Sequence, residues 1–210
     1  VNSTTITCIT PARTTAGDVG IIVTTGGGPS GAFSSFTYIT PPNITGISPS
    51  TGSIAGLTSV TITGTNFTGA TSVTFDGIAA TSLTIVNSTT ITCITPARSV
   101  GAIGIIVTTL YGTSGAFSPY TYITPPNITS ISQLTGSTAG GTNVTITGTN
   151  FTGATSVTFD GLSATSISIV NSTTITCITP ARTTAGAVGI IVTTGGGPSG
   201  AFSSFTYITP

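Results

Sequence analysis

The chain has 210 residues, 38% of them hydrophobic and only 3% charged, and its three basic and three acidic residues cancel to a formal net charge of zero. Three scattered Arg cannot displace the counterions of a nucleic acid or hold an anionic membrane surface, which argues against both partners. A near-zero net charge favours association of the chain with itself.

The bases are all Arg, the acids all Asp, and Lys, Glu and His are absent. Thr, Ser, Gly and Asn supply nearly all the polar groups, while β-branched Thr, Val and Ile alternate with Gly and Pro punctuation. Such residues fit a pleated, half-buried surface, so the chain reads as all-β and folded. No apolar run approaches the ~18 residues of a transmembrane helix, so no membrane insertion is expected in this segment. No signal-peptide pattern is visible, and the chain starts within a repeat.

The string VNSTTITCITPAR stands at 1–13, 86–98 and 170–182, with start-to-start distances of 85 and 84 residues. That period is a small domain, not a solenoid turn. Residues 1–40 therefore read as the back half of a module, and 41–124 and 125–209 as two whole ones, with Pro210 opening a further copy. Residues 1–40 match 170–209 everywhere except Asp18, which is Ala187 in the later copy. The middle copy departs from both, as in Leu110-Tyr111-Gly112-Thr113 against Gly-Gly-Gly-Pro at 26–29 and 195–198, which implies an alternating array with a period of 169 residues and more copies than these. A half module cannot bury a sandwich core alone, so residues 1–40 are expected to be completed by preceding residues of the same protein or by strands of a neighbouring chain.

Within 41–124 seven strands are predicted at sandwich spacing. The first covers 43–48, with Ile44 and Ile47 as its apolar members. Strand 59–63 puts Val60 and Ile62 on one face, and Gly64-Thr65-Asn66 turns into Phe67. Strand 72–75 points Val73 and Phe75 inward and ends in Asp76-Gly77, a strong hairpin signal. Strands 81–86, 89–95, 103–109 and 116–123 follow, with Asn87-Ser88 as a turn and Pro96 as a stop. Two antiparallel sheets packed face to face are the economical arrangement. The modules meet at TYITPPNIT, residues 37–45 and 121–129, where two prolines make a short, stiff joint rather than a flexible tether.

The strings PPNITGISPSTG, SVTITGTNF, SVTFDG, TITCITPA and PYTYI, in that order and at these distances, resemble the IPT/TIG immunoglobulin-like domain. Two loop positions depart from the family pattern: Gln133 replaces the Pro seen at Pro49, and Gly56-Leu57-Thr58 replaces the Gly-Gly-Thr at 140–142. The resemblance implies tandem β-sandwiches of about seven strands. Relatives of this kind occur in plexin-like receptors, Rel-type transcription factors, starch-acting enzymes and arrays on microbial surface proteins, so the fold alone does not settle function.

All eight Asn lie in Asn-Xaa-Ser/Thr triplets. This points to N-glycosylation of a secreted chain, with Asn2, Asn87 and Asn171 as the best acceptors, then Asn43, Asn127 and Asn143. Asn66 and Asn150 are weaker, since the family places a turn Asn there. Cys8, Cys93 and Cys177, one per copy, cannot form a disulfide within a module and are expected to be buried free thiols; inter-chain cross-linking is the other reading. Asp76 with Arg98, and Asp160 with Arg182, could form exposed ion pairs worth ~0–1 kcal/mol; the alternative is a turn Asp and an unrelated solvated Arg.

Metal binding and nucleophilic catalysis both lack their residues, and no cofactor is expected. An isopeptide staple needs a Lys. Sugar stacking has only Tyr111 as a loop candidate, and Gly27 and Gly196 hold its place elsewhere. The Gly-Gly-Gly-Pro loops precede no helix and cradle no phosphate. The Thr-Xaa-Thr strands, as at Thr61 and Thr63, suggest ice binding less than the ordinary solvated face of a sheet. The chain therefore reads first as a self-associating fibre or stalk segment on a cell or virion surface, and second as the stalk of an adhesin or receptor whose binding head lies elsewhere.

Overall fold

The computed structural model describes residues 3–210, which form strands and turns and no helix. The half module holds β1 (Gly17–Ile21), β2 (Thr24–Thr25), β3 (Gly28–Pro29) and β4 (Phe33–Tyr38). The second module holds β5 (Asn43–Ser48), β6 (Thr51–Ser53), β7 (Ser59–Thr65), β8 (Ala70–Phe75), β9 (Ile78–Ala79), β10 (Thr81–Asn87), β11 (Thr90–Ile94), β12 (Gly101–Thr109), β13 (Gly112–Thr113) and β14 (Phe117–Ile123). The third repeats them as β15 (Asn127–Ile131), β16 (Thr135–Ser137), β17 (Asn143–Thr149), β18 (Ser156–Phe159), β19 (Leu162–Ser163), β20 (Thr165–Asn171), β21 (Thr174–Ile178), β22 (Gly186–Thr194), β23 (Gly197–Pro198) and β24 (Phe202–Ile208).

In the second module one sheet runs β10-β11-β7-β5 and the other β6-β14-β12-β8-β9, with β13 added to β12. The third module repeats this order strand for strand. Neighbours are antiparallel except β6 on β14 and β16 on β24, which are parallel. Period-two patterning builds the core: in β7 Val60, Ile62 and Gly64 are buried while Ser59, Thr63 and Thr65 face solvent. The central strand β12 buries Ile103, Ile105, Val107 and Thr109 between β14 and β8. Aromatic rings from the two strands that flank the central one meet edge to face in each module, Phe75 with Tyr120 at 5.4 Å and Phe159 with Phe205 at 5.3 Å between centroids.

Ile44 and Ile47 would point to opposite faces of a regular strand. A register shift between Ile44 and Gly46 puts both against the core. Gly64, paired with Ile44, sits so close that a Cβ would lie 2.0 Å from the Asn43 carbonyl oxygen. The Asp76-Gly77 turn has φ of 47° and 86°, the left-handed pair that a two-residue hairpin needs, and it joins β8 to β9.

The seven predicted strands are present and three short ones join them: β6, β9 and β13 are two or three residues long. Such lengths show no periodicity, and Thr51-Gly52-Ser53 contains no apolar side chain at all. β7 also runs on through Gly64 and Thr65, and β10 through Asn87, where turns were predicted.

In the half module β1 pairs with β4 and β2 with β3. Residues 5–9, the sequence equivalent of β21, form no strand beyond a single bridge at Thr5. The expectation of a buried Cys8 is accordingly corrected: Cys8 is exposed, because the strands that flank its equivalent, β17 and β20, have no counterpart in residues 3–40.

Candidate functional site

The asparagines divide by what their amides do. Asn87 ends β10, and its Oδ1 accepts hydrogen bonds from the backbone N–H and the hydroxyl of Thr89, both at 2.9 Å. Asn171 does the same with Thr173 at 2.8 Å. Both side chains are exposed, and these bonds engage the carbonyl oxygen of the side chain. Asn43, Asn127 and Asn143 are exposed first residues of β5, β15 and β17. Asn66 and Asn150 hold φ of 60°, a conformation Asn tolerates, and their amide nitrogens are in use. Asn66 Nδ2 donates to Thr40 Oγ1 at 2.7 Å and to the Pro41 carbonyl at 3.3 Å, and Asn150 Nδ2 donates to the Pro125 carbonyl at 3.2 Å. The turn Asn thus ties each module to its own proline joint. Asn2 lies outside the described residues.

The joint has a second contact. The β22–β23 hairpin of the third module presents Gly195 and Gly196 to the rear of the second. A Cβ on Gly195 would meet Thr51 Oγ1 at 2.6 Å, and one on Gly196 would meet the Thr124 carbonyl oxygen at 2.7 Å and Ile123 at 3.1 Å. Only a side chain of bare hydrogen fits there. In the second module Leu110 and Tyr111 hold the equivalent tip; they are 82% and 52% exposed, and the next residue, Gly112, lies against Pro41.

Arg98 Nη2 pairs with Asp76 Oδ2 and Nη1 donates to the Asp76 carbonyl at 3.1 Å, while Arg182 pairs with Asp160 at 2.8 Å. Each pair joins the β8–β9 or β18–β19 turn to the segment that crosses from one sheet to the other. The carboxylates are more than half exposed, so solvent screens the attraction.

One clamp was missed in the sequence. The Tyr122 hydroxyl donates to the Pro96 carbonyl and the Tyr207 hydroxyl to the Pro180 carbonyl, both at 2.9 Å. Tyr38 reaches Pro11 likewise at 2.8 Å. A Pro-to-Tyr spacing of 26 or 27 residues in all three copies was the signal. Burial pushes the Tyr122 phenol up to about 12 and the Cys93 and Cys177 thiols up to about 11. These are groups held neutral and inert, not poised for proton transfer or attack.

Among the described residues no three His, Cys, Asp or Glu come together as metal ligands would. The contacts fasten strands, turns and joints to one another. Two β-sandwiches in line, coupled through a proline pair, define a tandem immunoglobulin-like array. Residues 42–123 and 126–207 each match the IPT/TIG domain, and the chain belongs to that family. It is similar to Fibrocystin-L of Homo sapiens, 32% identical over 128 residues and 57% of this chain, and to Fibrocystin-L of Mus musculus, 31% identical over 171 residues and 77% of this chain. It spans only 3 to 4% of the length of those curated relatives. Among solved structures the full extracellular region of Plexin A4 shares the fold, with a TM-score of 0.57 and 24% identity over 82% of this chain and 16% of that one.

Proposed function

We propose that this chain is a structural repeat segment of an extracellular fibre or surface stalk that associates with copies of itself and carries no catalysis. The joint is the observation that supports it. Two prolines, an Asn amide bonded to the proline carbonyl and a glycine tip pressed on Thr51 and Thr124 resist bending between the second and third modules. Uncharged hydroxyl-rich faces with sheet edges at β5, β10, β15 and β20 offer lateral pairing without charge repulsion. Negative-stain images of the purified chain over rising concentration test this: straight rods that collect into filaments or bundles are expected. Rods that stay single at the highest concentration, or that bend at many angles at residues 124–127, reject it.

N-glycans at Asn87 and Asn171 belong to the same reading, because both residues are exposed and their bonds to Thr89 and Thr173 engage Oδ1 rather than the amide nitrogen. Material from the native source should exceed the bare sequence mass, with sugar mapped to these peptides and not to those of Asn66 and Asn150. A second reading is the stalk of a surface adhesin or receptor. The relatives are far longer than this segment, which leaves room for a recognition head outside it. A distinct terminal domain in the whole protein favours that reading; uninterrupted repeats favour the fibre.

A further inference from the structure

Each whole module has two flanks. On one, β9 and β10 are the end strands of the two sheets and are joined by Ala80 alone; on the other, the end strands are β5 and β6. Large apolar side chains are exposed on the first flank only. Ile78, Ile85 and Val86 are 46%, 39% and 58% exposed, and their equivalents Leu162, Ile169 and Val170 are 43%, 41% and 58% exposed. β5, β6, β15 and β16 expose none. Ile85 is the outer end of a core row: it stands opposite Ile91, which stands opposite Ile62, and both of these are fully buried. Register shifts kink β10 and β20 on either side of this row, yet Val86 and Val170 stay exposed. Natural sheets turn other strands away from such an edge with a charged side chain or a Pro. β9, β10, β19 and β20 contain neither.

What each of these edges does carry is a sequon. Asn87 ends β10 directly after Val86, and Asn171 ends β20 directly after Val170. Asn87 stands opposite Thr90 and Thr90 opposite Thr63, so the acceptor sits at the open end of a polar row on the solvent face. Asn171, Thr174 and Thr147 repeat that row. We infer that N-glycans on Asn87 and Asn171 are the cover of these two flanks: they shield Ile85-Val86 and Ile169-Val170 and bar β10 and β20 from pairing with a strand of another chain. The inference rests on the glycan reading proposed above and adds what the sugar does. A further strand would have to lie about 4.8 Å from β10, and a bulky, uncharged, hydrated sugar fixed to that strand takes up the space. Lateral contact between glycosylated chains then falls to the remaining edges.

The test compares the chain secreted from a eukaryotic host that adds N-glycans with the same chain made in a bacterial host that does not. A double variant, Asn87→Gln with Asn171→Gln, made in the first host keeps any sugar attached elsewhere. Peptide mapping gives the occupancy of each Asn, hydroxyl-radical footprinting read by mass spectrometry gives side-chain access, and sedimentation velocity gives association. Expected is a several-fold lower oxidation of Val86 and Val170 in the glycosylated chain than in either comparator, with Leu57 and Val100, which are exposed elsewhere, unchanged. The bare chain and the Gln variant should associate at lower concentration than the glycosylated chain. Val86→Lys with Val170→Lys should return the bare chain to the behaviour of the glycosylated one. No sugar at Asn87 and Asn171 in the secreted chain overturns the glycan reading and the inference with it. Sugar at both, with Val86 and Val170 oxidised as in the bare chain or with association unchanged, overturns the inference alone.

Discussion

Tyr120 and Phe205 hold the same place in successive modules, and the difference is one hydroxyl. That hydroxyl is buried beside Thr58 and Thr95 without a well-formed hydrogen bond. A buried polar atom without a partner costs stability, so Tyr120→Phe should leave the second module unchanged or raise it by up to about 1 kcal/mol in urea unfolding. Tyr122→Phe should do the opposite, lowering it by about 1 kcal/mol, because its hydroxyl holds the Pro96 carbonyl. The two buried thiols add a pH dependence of definite sign. Their pKa rises from 9.0 unfolded to about 11 folded, so the folded state keeps its protons longer. Stability from this source is complete below pH 9 and is lost as pH climbs toward 11. Thermal melts should therefore fall over that window, and fall less in a Cys93→Ala, Cys177→Ala double variant. Cys8 was misread because its pattern, Ile6 and Cys8 on one face, is that of a core strand. Whether a core forms around a strand depends on partners that the strand itself does not encode.

At the level of elements, the long strands were legible and the short ones were not. β7 and β12 announce themselves by apolar residues at every second position, and Asp76-Gly77 by the turn chemistry it alone satisfies. β6 could not be read, since its place is set by parallel pairing with β14, some seventy positions away. The bulge in β5 was hidden for a related reason: Ile44 and Ile47 look out of phase until the chain gains an extra residue between them. That bulge brings β5 close over Gly64, which gives a sharp test. Gly64→Ala places a methyl on the Asn43 carbonyl and beside the Phe67 ring, so it should cost roughly 2–4 kcal/mol or prevent folding of the second module. Gly69→Ala, at a position with open space but φ of 73°, should cost only about 1 kcal/mol. The sequons were legible as motifs, but the use of Asn66 and Asn150 as joint clamps was not, because their acceptors lie 25 residues back in the chain.

At the level of the whole molecule, the proline pair was legible as the junction between modules, while the hairpin that packs against it was not. Gly195 and Gly196 touch the second module far from themselves in sequence, and only their lack of side chains hints at a crowded place. Gly196→Tyr, which copies the residue at the matching tip of the second module, should force the third module away from Thr124. Small-angle X-ray scattering should then show a shorter or more variable maximum dimension, with both modules melting as before. An unchanged scattering curve would mean that the tip does not brace the joint.

The bulky tip carries its own consequence. Leu110 and Tyr111 cannot enter a seat shaped for two glycines, and that seat is built from residues repeated in every copy. In an array that repeated these two tips in turn, links seated by a glycine pair would alternate with links whose tip is Leu-Tyr, and the two kinds of link would differ in how far they bend.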